Sequence, residues 1–394
     1  MQSADKPALV PSGRPCDVLI ISRYSPLSGK GLENVVLRQI ESLTAAGYSV
    51  KVLYRKRRGD SGPAFSARVG ELPIPEIIPF VTGTLADLVY MVPTYLMAAR
   101  SGSPVVIDNL DYPVVLRAMA SILRKPVKII KVHHGTPNFL NSYAGIRGIL
   151  ARAYGVLLGP VCSLSCRCTD LDIAVSSKVR EELISFYGAA PEKVVVVPNT
   201  VDTSLFRPRD TLSSRKLLGL PLERKLILFV GGDAERKGIG DALEVVKKLR
   251  CTYPDAMLAA LTPTLPKNCP DHVIRLPPMA SKQLPFLYNT SDLFILPSRY
   301  ESGIPLSVLE ALASGIPCIV SPQAAEPELG AGGIYVADNP DGMLMHCLKL
   351  LSDKGLWRRA SSAGRSAVLA FSDARQKKGG YAKVVSRFVH PDDD

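Results

Sequence analysis

The chain has 394 residues, 46% of them apolar and 6% aromatic, with a formal charge of +12. This composition excludes a disordered or collagen-like chain and suits two α/β cores rich in Val, Leu and Ile. The positive surplus is spread over both halves, which argues against a nucleic-acid module and suits anionic substrates or an anionic membrane surface. The N-terminal stretch MQSADKPALV has no apolar signal segment. No uninterrupted apolar run reaches the roughly 18 residues of a membrane span. The nearest approaches are Leu85–Ala99, broken by Asp87 and Pro93, and Ile149–Cys162, which carries Arg152 and Pro160; both read as core or interfacial helices. Eight mostly isolated cysteines read as free thiols of a reducing cytosol, so a cytoplasmic location is expected, with membrane association on the cytoplasmic face. Cys162, Cys166 and Cys168 form a C-x3-C-x-C cluster without a nearby fourth ligand, and no metal site is expected there.

In chain order, Asp17–Ser22 is a strand, a glycine loop follows, Val35, Val36, Ile40 and Leu43 mark a helix, and Val50–Tyr54 is the next strand. Gly29 and Gly31 in that loop allow close backbone approach to a phosphate or sugar, although G-x-G-x-x-G is incomplete. Arg55–Arg58 reads as a solvated basic loop, with a role at the membrane or acceptor as the alternative. Val105–Asp108 ends a strand whose tip carries Asp108 and Asp111, read as candidates for an acceptor. The strand Val127–Val132 runs into His133, His134 and Gly135. Asp172–Ser176 and Lys193–Val197 are strands flanking a helix capped by Ser176 or Ser177 and closed by Gly188.

The second half opens with the strand Lys225–Val230 and the loop Gly231-Gly232-Asp233-Ala234-Glu235-Arg236-Lys237-Gly238. Met257–Leu261, Val273–Leu276, Asp292–Leu296, Ile316–Val320 and Ile334–Val336 follow as strands, with helices between them. Pro297 to Pro322 organises this half: strand end, glycine turn at Ser302, Gly303 and Ile304, helix from Pro305 and Leu306, and buried strand. The first-turn amides of such a helix converge with its dipole on the strand tips, which suits an anion. Glu301 and Glu310 flank this cradle.

The segments PSRYESGIPLSVLEALASGIPCIVSP and AVSSKVREELISFYGAAPEKVVVVPNTVDTSLFRP resemble glycosyltransferase family 4, retaining enzymes of the GT-B fold. The resemblance covers nearly the whole chain and is strongest over 171–206 and 226–322. It departs at three points. The family's paired glutamates are separated by seven residues, whereas Glu301 and Glu310 have eight between them. Either the turn is one residue longer or Glu301 sits elsewhere. Gly232 stands where the family's loop carries Arg, with Arg236 beside Lys237 as a second cation. The first loop's Gly31 and Glu33 match the family's Gly-x-x-Glu only loosely.

The resemblance implies two Rossmann-like domains with parallel sheets facing across a cleft: an acceptor domain over 1–204, a donor domain over 205–375 and a returning helix over 376–394. It implies sugar transfer from a nucleoside diphosphate sugar to a glycan, lipid or small-molecule acceptor hydroxyl, with retention and without metal or cofactor. Lys237 and Arg236 would stabilise the leaving diphosphate, with Glu301 and His134 also at the reacting sugar. Gly29, Gly31, His133, Gly231, Gly232, Leu276, Ser302, Gly303, Ile304, Pro305, Leu306 and Glu310 would hold the donor. A catalytically silent GT-B subunit binding a ligand or partner protein is the other reading.

Overall fold

The structure is a computed structural model. It describes residues 16–24, 31–55, 68–69, 94–110, 113–143, 145–265, 268–280, 282–326, 329, 333–372 and 379–389. Gly29 and Asp111 lie outside these residues. The chain divides into two compact units. One comprises Met1–Pro137, Tyr154–Val197 and Lys378–Asp394, and the other Asn138–Ala153 and Pro198–Lys377.

In the first unit, β1 (Val18–Tyr24), α1 (Gly31–Ala45) and β2 (Val50–Arg55) form the opening βαβ turn. A two-residue β3 (Arg68–Val69), α2 (residues 94–100), β4 (Val105–Asp108), α3 (Pro113–Ile122) and β5 (Lys128–His133) follow. Then come α4 (Gly145–Cys168), whose residues 145–153 fall in the other unit, β6 (Leu171–Ala174), α5 (Ser177–Tyr187) and β7 (Val194–Val196). The seven strands pair in parallel in the order β3-β2-β1-β4-β5-β6-β7. Alternation gives the sheet two apolar faces: Val18 and Ile20 enter one core, Leu19 and Ile21 the other. Ser176 caps α5, accepting from the Val179 amide, and Gly188 closes it in the left-handed region.

Pro160 does not end α4. The helix runs 24 residues through it, and 148–168 are long and apolar enough to cross a membrane by length and composition. A proline costs a helix one hydrogen bond and crowds the preceding turn, a loss that the remaining turns can carry.

The second unit holds α6 (Thr211–Leu218), β8 (Leu226–Val230), α7 (Ile239–Leu249), β9 (Met257–Leu261) and β10 (Val273–Arg275). It continues with α8 (Leu284–Asn289), β11 (Leu293–Leu296), α9 (Leu306–Ala313), β12 (Cys318–Val320) and β13 (Ile334–Val336). Two further helices, α10 (Pro340–Ser352) and α11 (Lys354–Ser372), complete it. Its six strands pair in parallel as β10-β9-β8-β11-β12-β13. The last helix, α12 (Gly379–Val389), packs Tyr381, Val384 and Val385 into the first unit's core.

Both sheets reverse strand order at one place, β1 beside β4 and β8 beside β11. In doubly wound sheets the crevice at the carboxyl ends of such a pair is where ligands bind. The loops after β8 and β11 are the ones carrying Lys237 and Glu301.

Candidate functional site

The loop after β8 is shaped by its glycines. The Gly231 amide donates to Leu261 O at 3.1 Å. A Cβ on Gly231 would press to 2.9 Å from Lys237 Cγ, so glycine leaves room for the lysine stem. Gly238 has φ +78°, and a Cβ there would land on the Pro297 carbonyl oxygen. Only glycine lets the start of α7 close onto the end of β11. Gly232 is different, since a Cβ there meets nothing within 4 Å. The position where the family carries Arg is therefore open, not filled by another group.

Lys237 Nζ donates to Glu301 Oε1 at 2.5 Å. Arg236 Nη1 lies 3.7 Å from Glu301 Oε2 and donates to Tyr300 O at 2.7 Å. The Arg299 amide donates to Arg236 O at 2.9 Å, tying the two loops together. The structure thus brings Glu301, Arg236 and Lys237 into one cluster. Glu301 is 7% exposed. Burial holds the Lys237 ammonium below the ordinary lysine range, opposed by Glu301 and reinforced by Arg236. Asp233 accepts from Tyr143 OH at 2.7 Å and lies 3.7 Å from Arg236 Nε.

Past Glu301, Ile304 and Pro305 are buried and Ser302, Gly303 and Leu306 are partly buried. Pro305 is the N-cap of α9, and the Val308 and Leu309 amides return to its carbonyl. That leaves the Leu306 and Ser307 amides without an acceptor inside the helix. Glu310 is 8% exposed, and its Oε2 accepts from the fully buried Tyr288 OH at 2.6 Å. Leu276 follows β10 and is buried, its amide donating to Ala260 O.

In the first unit the two histidines separate. His133 is buried, its Nε2 2.7 Å from Asp172 Oδ1, while Thr169 donates to Asp172 Oδ2. His134 is only partly buried and bonds through Nε2 to Asn109 Oδ1 at 2.9 Å. Asn109 is itself locked to Gln39 by reciprocal amide bonds. The expectation that Asp108 meets an acceptor does not match its environment. It is fully buried, accepting from Tyr95 OH and the Leu110 amide, so it shapes the turn instead. Gly31 opens α1.

His133, Cys166 and Asp172 place ligand-type atoms within 4.8 Å of one another. By distance they could hold a metal ion, but His133 and both Asp172 oxygens already serve the bonds above. All eight cysteines are free thiols. Sequence reasoning missed Tyr288, Tyr143, Asn109 and Asp172. The only signal was a polar atom in an otherwise apolar element, as with Tyr288 in α8 and Asp172 in β6.

Two doubly wound parallel units, with cations and carboxylates gathered at the strand-order reversal of one, define a GT-B architecture. Solved structures share it: sucrose-phosphate synthase from Thermosynechococcus elongatus superposes with TM-score 0.74 at 20% identity, over 94% of this chain and 99% of that one. Anabaena HepE, in complex with UDP and glucose, does so with TM-score 0.67 at 15% identity, over 94% and 99%. The profile of Glycosyltransferase Family 4 matches residues 29–205, and that of Glycosyl transferases group 1 matches residues 224–353. The chain belongs to glycosyltransferase family 4.

Among curated relatives, a D-inositol 3-phosphate glycosyltransferase from Acidothermus cellulolyticus is 30% identical over 185 residues, 42% of this chain and 39% of that protein. An MMP alpha-(1->4)-mannosyltransferase from Mycolicibacterium hassiacum is 27% identical over 234 residues, 55% of this chain and 54% of that protein. The match spans only about two fifths to a half of the length of these relatives.

Proposed function

We propose that the protein transfers a sugar from a nucleoside diphosphate sugar to an acceptor hydroxyl, with retention at the anomeric carbon and without a metal ion. The observation that carries this is the Lys237–Arg236 pair, held against Glu301 at the carboxyl ends of β8 and β11. Breaking the anomeric bond leaves negative charge on the diphosphate. Two cations and the free amides of α9 are preorganised donors for that charge, in place of a divalent ion. Glu301 then has two tasks: it neutralises the cations while the site is empty, and it turns toward the sugar when the diphosphate takes its place. Glu310, oriented by Tyr288, accepts from ribose hydroxyls. His134, oriented by Asn109, is the histidine available to the donor sugar. The acceptor attacks from the face the diphosphate leaves. A cytoplasmic protein with a glycan or lipid-linked acceptor fits the reading.

A silent GT-B subunit is the second reading. It is favoured by the open Gly232 position and by a carboxylate sitting on the diphosphate cations. One experiment separates the two. The protein is incubated with UDP-, GDP- and ADP-sugars in the presence of a chelator, and nucleoside diphosphate release is measured. Release that Lys237→Ala abolishes supports the enzyme. No thermal shift and no release with any donor overturns it, and release restored only by divalent metal overturns metal independence.

A further inference from the structure

Helix α4 is apolar on the side that faces away from its own sheet. Val156 is 75% exposed, Leu157 71% and Leu164 47%. With Pro160 they recur at three- and four-residue spacing, so they share one stripe. Ala151, Ser165 and Cys166 on the other side are buried. Only 17% of the apolar window is buried, which is the reverse of a core helix. A continuous exposed stripe of this kind marks an interaction surface, not scattered surface apolarity.

Its charges identify the occupant. Gly145–Cys168 contains Arg147, Arg152 and Arg167 and no acidic residue. Arg152 and Arg167 are exposed near the two ends of the stripe. Arginines there can lay their stems along apolar surface and raise the guanidinium to a headgroup layer. A protein partner would ordinarily be matched by charges of both signs, whereas an all-cationic rim fits an anionic bilayer. The helix cannot cross that bilayer. Its last turn is fastened, with Arg117 Nε donating to Cys168 O at 3.0 Å and Thr169 Oγ1 to Cys166 O at 3.0 Å. Three residues beyond Cys168 the chain enters β6, inside the sheet.

We propose that the outer face of α4 docks the protein on an anionic lipid surface, lying in the plane of the headgroups with Val156, Leu157 and Leu164 inserted. This deepens the reading of a lipid-linked acceptor and rests on it only for its purpose, since docking requires no turnover.

The test is co-sedimentation of the full chain with vesicles of phosphatidylcholine alone or with about a third phosphatidylglycerol, alongside gel filtration and thermal melting. The wild type is expected to pellet with the anionic vesicles only. Val156→Glu with Leu157→Glu should lower partitioning at least ten-fold, with the melting temperature and the donor-induced thermal shift unchanged. Arg167→Gln should lower it about five-fold, the worth of one basic residue at an anionic surface. Wild type that stays in solution, or that pellets equally with neutral vesicles, overturns the proposal. So does a wild-type dimer that the double variant splits without any vesicle binding, because the stripe would then join two copies. A melting temperature that falls in the double variant also overturns it, since the stripe would be covered by the chain itself. Donor binding is read separately, so failure of docking leaves the transferase reading standing.

Discussion

At the residue scale, the proposed role of Lys237 predicts a pH response. The Lys237 ammonium is held below the ordinary lysine range by burial, and the Glu301 charge opposes that shift. Diphosphate stabilisation needs the charged form, so kcat/KM should fall as pH rises through a pKa below that of free lysine. Glu301→Gln removes the opposing charge, lowers that pKa further and moves the alkaline limb to lower pH. Lys237→Arg, charged throughout, should flatten the limb even if the rate drops. A pH–rate profile of the three proteins checks this, and an unmoved limb in Glu301→Gln would sink the assigned contact. The same ammonium acts on stability with a definite sign. A lysine whose folded pKa is depressed binds fewer protons folded than unfolded, so its burial penalty is relieved as pH rises through the folded value. Tyr288→Phe removes the bond that aims Glu310. Because the ring stays in place, we expect a rise in donor KM of about five- to ten-fold with little change in melting, the scale of about 1 kcal/mol for one hydrogen bond. Steady-state kinetics with a short donor such as UDP-glucose, if that is the donor found, decides it. Lys237, Glu301 and Glu310 were singled out through the resemblance to the family's motifs, and the structure places the first two in contact. What Glu301 touches was not legible, because one extra turn residue changes direction more than it changes distance.

At the element scale, the alternation of strands and helices was legible nearly throughout, since parallel strands buried on both faces read as short apolar runs. The exceptions have physical causes. Strand β3 is two residues with no periodicity to see. Helix α4 reads from the sequence as residues 149–162, whereas it runs from Gly145 to Cys168 with Pro160 inside it. Just past the boundary expected between 204 and 205 lies α6 (Thr211–Leu218). Arg215 of α6 donates to Thr290 O, Leu222 O and Arg224 O, and pairs with Asp292 at 3.0 Å. It is 4% exposed and joins α6 to the starts of β8 and β11. Arg215→Ala removes the donor of three carbonyls and one of the partners of Asp292, which keeps the Leu226 amide and Lys225, and should destabilise the second unit by about 3 kcal/mol in urea unfolding. Gly238→Ala addresses the other end of β8. Its positive φ and the Pro297 carbonyl exclude a methyl group, so the loop must shift and take Lys237 with it. Nucleoside diphosphate release should be lost while circular dichroism stays near that of the wild type.

At the scale of the whole molecule, the described apolar residues form separate cores. One runs from Val201 to Val368, and two line the faces of the other sheet. The proposed donor contacts Lys237, Glu301 and Glu310 all belong to the unit holding Pro198–Lys377. Units with separate cores can unfold as separate cooperative units, and calorimetry is expected to resolve two transitions. A ligand that binds one folded unit and no unfolded chain raises that unit's transition alone. At a nucleoside diphosphate concentration of a hundred times Kd the linkage is worth about 2.7 kcal/mol. For a unit of this size that corresponds to a rise of roughly 5–10 °C. The other transition should not move, and Lys237→Ala should remove the shift without abolishing either peak. If both transitions rise together, the first unit also holds the nucleotide, and His134 with Asn109 becomes the first place to look for the contact. If neither rises, the cations beside Glu301 do not bind a diphosphate, and the transferase reading loses the observation that carries it.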